Sequence, residues 1–249
     1  MDLGDLPRWK PAEPPIAVQK ARSSLRQCDQ LLAGDPTDAA AHHGRAHALE
    51  ILGEPARAAE DFNRAAAWFT RAIERMARSP GPYLARARFR ACRKDYRGAI
   101  GDFEKAHSLD PESADVLNDF AWLLATAPRE HRDPERAVAL AERAVRNAAH
   151  PYPCLNTLGA ALYRAGRFGE AAEMLERAGR AQPEGPTAFD HFFLALAHHQ
   201  LGRSEPAADA LDRALRWWKS QEYLHPELTA ELEALRAEAE AALGVEAGR

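Results

Sequence analysis

His43 and His47 stand four residues apart. On a helix their imidazoles project from one face, the spacing that lets two histidines share a transition-metal ion. His42 adds a neighbour, and Glu50 is the only acid close by. One carboxylate beside two imidazoles is an incomplete ligand set, and the pair His198–His199 in AHHQLG is less complete still. The sequence therefore assigns no metal and no cofactor. The motifs of nucleotide binding, acyl transfer and zinc proteolysis are missing too: there is no G-x-x-x-x-G-K-[ST], G-x-S-x-G, H-E-x-x-H or G-x-G-x-x-G. The expectation is a protein that is not an enzyme.

The composition is that of a soluble chain. Its 249 residues are 46% apolar and 28% charged, with a mean hydropathy of -0.48 and no run near 18 apolar residues. The opening MDLGDLPRWKPAEPP has no apolar core of a secretion signal and reads as a disordered lead-in over residues 1–14. Three scattered cysteines suit a reducing cytoplasm. Arginine outnumbers lysine 28 to 5, as GC-rich bacterial codon usage would produce. A net charge of -4 argues against a protein built mainly to hold phosphates.

Apolar residues recur every three or four positions almost throughout, and alternating strand patterns do not occur. Helix breakers punctuate the chain at Gly53, Pro80-Gly81-Pro82, Pro111, Pro151, Gly166, Pro183 and Gly202, so the expected class is all-α. Small residues repeat in register. Ala46, Ala58 and Ala65 share their intervals of 12 and 7 with Ala87, Ala99 and Ala106, with Gly159, Ala171 and Ala178, and with Ala195, Ala207 and Ala214. Ala121, Ala137 and Ala144 form a middle copy whose first interval is four longer, within ATAPREHRDPERA. Four residues after the central alanine come Phe62, Phe103, Leu175 and Leu211, or Ala141 in the middle copy. Two antiparallel helices approach closely only where side chains shrink, so small residues mark crossings and the bulky one fills the core between them.

This pattern resembles the tetratricopeptide repeat, best in the copy containing Leu158-Gly159, Leu162, Gly166, Ala171, Leu175, Ala178 and Pro183. The resemblance implies a right-handed α-solenoid of about five helix-turn-helix repeats across residues 37–220, starting near 39, 80, 114, 152 and 188. A helix over residues 15–36 precedes it, capping the array or standing as a lone second helix. A capping helix over residues 225–244 follows, with Leu228, Leu232, Leu235, Ala239 and Leu243 inward and Trp217 and Trp218 beneath it. Seven extra residues within AAAWFTRAIERMARS predict a second helix two turns longer than usual in the first repeat. The four extra residues of the third should lengthen its inner loop around PREHRDP.

The resemblance further implies a concave groove, lined by the first helix of each repeat, that takes a partner peptide or helix. Its positions include His43, His47 and Glu50, then Leu84, Arg88 and Cys92, then Asp115, Asn118, Trp122 and Thr126. Asn156, Tyr163 and Arg164 follow, then Phe189, Phe192, Leu196 and His199. The binding residues expected from this set are Arg88, Asn118, Trp122, Asn156, Tyr163, Arg164 and Phe189. Asn118 and Asn156 either bracket a peptide backbone with their amides or are polar helix residues in water. Trp122, Tyr163, Phe189 and Phe192 form an aromatic wall or pack between repeats, the second reading being favoured for Phe192 and Phe193.

From Arg71 to Arg97 nine basic residues face two acids, whereas seven glutamates accompany two arginines from Glu222 onward. These are solvated faces neutralised by neighbouring repeats, or a patch that attracts an acidic partner. The function expected is a non-catalytic protein-interaction scaffold with a protein or peptide partner, and no membrane partner. The alternative is a helical-repeat nucleic-acid binder using residues 71–97. Self-association through an array end is a further option.

Overall fold

The computed structural model describes residues 14–182, 185–221, 224 and 226–245. The expected lead-in therefore falls outside the described residues but for residue 14, and so does Pro183. Among the described residues the chain is all-α, with twelve α-helices and no strand. It divides into two compact units, one carrying α1–α5 and the other α6–α12.

The first unit holds α1 (Pro14–Gly34), α2 (Ala39–Ile51), α3 (Pro55–Arg75), α4 (Pro80–Cys92) and α5 (Tyr96–Leu109). Helices α2 and α3 pair, as do α4 and α5, and α1 lies on α2 with Ala21, Cys28 and Leu32 buried. Ala46, Ala58, Ala65, Ala87, Ala99 and Ala106 are all buried, as are Phe62 and Phe103, the expected core fillers. At 21 residues, α3 is seven longer than the 14-residue α5, two helical turns as the insertion predicts. Those turns carry Phe69, whose ring lies 5.4 Å from that of Phe89 on α4.

An ion pair recurs in register inside each helix pair of this unit. Arg45 Nε and Nη2 donate to Asp61 Oδ2 and Oδ1 at 2.7 and 2.8 Å, and Arg86 Nε and Nη2 donate to Asp102 Oδ2 and Oδ1 at 2.7 Å each. Both carboxylates are buried. The planar guanidinium fork satisfies both carboxylate oxygens at once, which is what allows the charge to leave water.

The second unit holds α6 (Ala114–Thr126), α7 (Pro134–Asn147), α8 (Tyr152–Arg164), α9 (Phe168–Ala181), α10 (Ala188–Gln200), α11 (Ser204–Ser220) and α12 (Pro226–Leu243). Pairs form between α6 and α7, α8 and α9, and α10 and α11. The turn inside most pairs is three residues long, at 52–54, 93–95, 165–167 and 201–203, but spans 127–133 between α6 and α7. The four extra residues thus sit where the sequence puts them, with a 3-10 turn over Arg129–His131.

The middle residue of each short turn is left-handed. Gly53, Gly166 and Gly202 take φ of 78°, 78° and 70°, but at the equivalent position Lys94 is held at φ 61°. A Cβ disfavours that backbone by about 1–2 kcal/mol. Glycine gives part of this back as extra freedom when unfolded. Lys94→Gly is therefore expected to stabilise the protein by roughly 0.5–1 kcal/mol in urea denaturation, and an unchanged or lower midpoint would refute it.

Helix α12 covers the last helix pair. It packs chiefly on α10, touches α11 less, and reaches α8 through one side chain. Its buried stripe is Leu232, Leu235 and Ala239, with Leu243 half-buried, while Leu228 is exposed at 44%. The inward placement of Leu228 is thus corrected: the buried stripe starts a turn later, at Leu232. Trp218 is buried with this cluster, and Trp217 only half-buried against it.

Candidate functional site

The first helices of successive pairs in the α6–α12 unit bring four of the expected groove residues together. Trp122 on α6 meets Phe189 of α10 edge-on at 5.5 Å and Phe193 at 6.4 Å. Tyr163 on α8 lies 5.8 Å from Phe193, and the Arg164 guanidinium lies 5.3 Å from both the Tyr163 and Phe193 rings. Phe192 and Phe193 are fully buried, as packing between repeats requires, whereas Trp122, Tyr163 and Phe189 keep partial exposure at the edge of the core.

Arg164 is the electrostatic centre of this surface. Its Nε donates to the Ala125 carbonyl at 3.2 Å, and its Nη2 donates to Glu238 Oε2 of α12 at 2.7 Å. Its Nη1 donates to the other oxygen of Glu238. Arg132, which donates to the Ala127 carbonyl, feels both burial and the repulsion of Arg164, and its pKa falls below the usual arginine value. Glu238 offsets that repulsion. Burial, then the Glu238 charge, pushes the Tyr163 hydroxyl up. A carboxylate on an amphipathic helix thus completes a surface that otherwise carries two crowded cations.

The two asparagines are used differently. Asn156 Nδ2 donates to Asp190 Oδ1 at 2.7 Å, while Asp190 Oδ2 accepts from Thr187 N and Oγ1 at 2.7 and 2.8 Å and from the Tyr152 hydroxyl at 3.2 Å. Asn156 therefore braces the capping box that starts α10. Asn118 Nδ2 points to Asp119 Oδ1 at 3.4 Å, and its buried Oδ1 has no hydrogen-bond partner.

Arg88 lies apart from these residues in sequence and unit: it is an exposed residue of α4. Its neighbours in the basic segment are partly neutralised within the chain. Arg90 Nη1 donates to Asp102 at 2.8 Å beside Arg86, and Arg93 pairs with Glu50 at 3.2 Å. The segment keeps Arg71, Arg75, Arg78, Lys94 and Arg97 exposed.

The α1–α5 unit holds a second cluster, which the sequence reading left incomplete. His43 and His47 on α2 meet Cys92 at the end of α4, and their ligand atoms lie within 4.8 Å of one another. The resemblance puts all three in the groove, but in the sequence the two histidines have only His42 and Glu50 as nearby ligand candidates. All three fall on groove positions of neighbouring first helices, and that was the signal that could have joined Cys92 to them.

No helix among the described residues is long and apolar enough to cross a membrane. No protein-family model and no curated protein matches this chain. Solved structures do. The type IV pilus biogenesis factor PilW is similar at 22% identity and a TM-score of 0.59, over 84% of this chain and 87% of PilW. YrrB, described as a TPR protein with an unusual peptide-binding site, is similar at 20% identity and a TM-score of 0.51, over 83% of this chain and 96% of YrrB. A tetratricopeptide repeat protein from Parabacteroides merdae is similar at 16% identity and a TM-score of 0.57, over 88% and 78%. At such identities the likeness establishes the fold.

Proposed function

We infer from the tetratricopeptide-repeat fold of this chain that it is a non-catalytic protein-interaction scaffold. Its partner is an amphipathic helix with an acidic edge, received on the surface formed by Trp122, Tyr163, Arg164 and Phe189. The observation that carries this reading is the two-pronged bond from Arg164 to Glu238. Helix α12 is itself amphipathic and acidic, and it sits along α10 with its glutamate on α8. It is an occupant in cis of the kind of surface to which this fold lends itself, docked in the helix-in-groove mode. An external partner competes with α12, so its apparent affinity is lowered by the fraction of molecules in which α12 is seated.

The test uses the full chain and a labelled synthetic peptide with the sequence of residues 226–243. Leu232→Glu/Leu235→Glu removes the buried stripe of α12, and this variant is expected to bind the peptide at least about tenfold tighter than wild type, after its helicity is checked. Adding Arg164→Glu should abolish the gain. Equal binding by wild type and the Leu232→Glu/Leu235→Glu variant, or indifference to Arg164→Glu, sinks the reading.

A further inference from the structure

The cluster at the junction of α2 and α4 has the shape of a metal site. His43 Nε2 lies 3.2 Å from Cys92 Sγ and 3.0 Å from His47 Nε2, and Cys92 Sγ lies 3.4 Å from His47 Nε2. Three ligand atoms thus form a nearly equilateral triangle. A tetrahedral ion with nitrogen bonds near 2.0–2.1 Å and a sulfur bond near 2.3 Å sets such atoms about 3.3–3.6 Å apart. The observed triangle needs to open by only a few tenths of an ångström.

The surroundings suit the same role. His47 Nδ1 faces Glu50 Oε2 at 3.2 Å, so with Nδ1–H donating to the carboxylate the Nε2 lone pair is turned toward the other two ligands. A carboxylate behind a ligating imidazole orients the ring and raises its basicity. Arg93 pairs with the same glutamate and stacks 3.8 Å over the Phe62 ring. Phe62 lies 5.1 Å from His47 and Phe89 lies 5.2 Å from His43, so two aromatic faces wall the cluster. His47 is buried, while His43 and Cys92 are half-buried, so solvent reaches two of the three ligand residues.

We propose that His43, His47 and Cys92 bind a zinc-class ion, with Glu50 positioning His47 and the fourth position taken by water or a partner's side chain. One thiolate with two imidazoles selects a borderline-soft ion and disfavours calcium and magnesium, which require oxygen ligands. The ion ties α2 directly to α4, across two repeats and past α3, so it fixes the spacing of neighbouring first helices. This inference stands whether or not the scaffold reading holds, because it concerns the other unit and its own ligands.

The experiment is titration of chelator-treated full-length chain with Co2+, followed by displacement with Zn2+. One Co2+ per chain is expected, with a thiolate-to-cobalt charge-transfer band and the intense visible bands of a tetrahedral ion. Zn2+ should bleach both and raise Tm. Cys92→Ser should lose the charge-transfer band, His43→Gln and His47→Gln should weaken binding by about 100-fold or more, and Glu50→Ala by about tenfold. Cys28→Ser, Cys154→Ser and His198→Gln should bind like wild type, and circular dichroism confirms that each variant folds. Absence of the charge-transfer band in wild type would overturn the proposal. So would its persistence in Cys92→Ser, which would place the ion elsewhere.

Discussion

Replacing Asp61 with alanine is expected to destabilise the protein by about 3 kcal/mol or more, the cost of removing one partner from a buried ion pair. Asp61 is buried and accepts two bonds from Arg45 and a third contact at 2.8 Å from His42 Nδ1. Without it Arg45 retains only the pair with Asp29, whose side chain is 50% exposed. Screening makes that pair weak, so Asp29→Ala should cost no more than about 1 kcal/mol. The contrast separates burial from mere proximity of charge. Urea denaturation followed by circular dichroism measures both, and an Asp61→Ala loss no larger than the Asp29→Ala loss would defeat the argument.

The same pair sets an acid limit. Burial alone would raise the Asp61 carboxyl, but the hydrogen bonds from Arg45 and His42 outweigh it and hold the pKa below the ordinary carboxylate value. A depressed folded value means the unfolded chain binds the proton more readily. The stabilisation is present above the unfolded carboxylate pKa and is lost as pH falls through the folded value. Wild type should therefore lose stability faster than Asp61→Ala below about pH 4, near the unfolded aspartate pKa.

Gly159→Val is expected to cost about 2–3 kcal/mol by overpacking the crossing of α8 and α9. A Cβ at Gly159 would lie 2.5 Å from Leu175 Cγ and 2.8 Å from its Cδ2. Leu175 is buried, and Cγ is a branch point that cannot swing aside as a chain end could. The variant gains some helix propensity, which offsets only part of the clash. Leu175→Ala alone opens a cavity costing about 2–5 kcal/mol. The double variant should then cost clearly less than the two single losses added, since each change makes room for the other. Additive losses would show that Gly159 and Leu175 do not meet.

These predictions rest on features of differing legibility. Small residues at intervals of 12 and 7 mark helix crossings because no larger side chain fits there, and Gly159 against Leu175 is one such crossing. Insert length was equally readable. Seven residues extend a helix by two whole turns and preserve its face, whereas four residues added between Pro128 and Pro134 go into the loop. The Arg45–Asp61 and Arg86–Asp102 pairs were written in the same register, yet a charged residue on a helix reads as solvent-facing until its partner is placed.

Local periodicity determined the helical class, the pairing of helices and the lengths of α3 and the α6–α7 loop, because each is settled by neighbours within a few turns. Only tertiary structure decided what lies across the surface of α8 and α10. Glu238 and Arg164 are 74 residues apart, and no local rule brings one to the other. Likewise His43 and Cys92 are 49 residues apart, and each alone is an ordinary side chain. Convergence of ligands or ions from distant turns depends on how whole helices pack, and helix packing is decided by surfaces rather than by spacing along the chain.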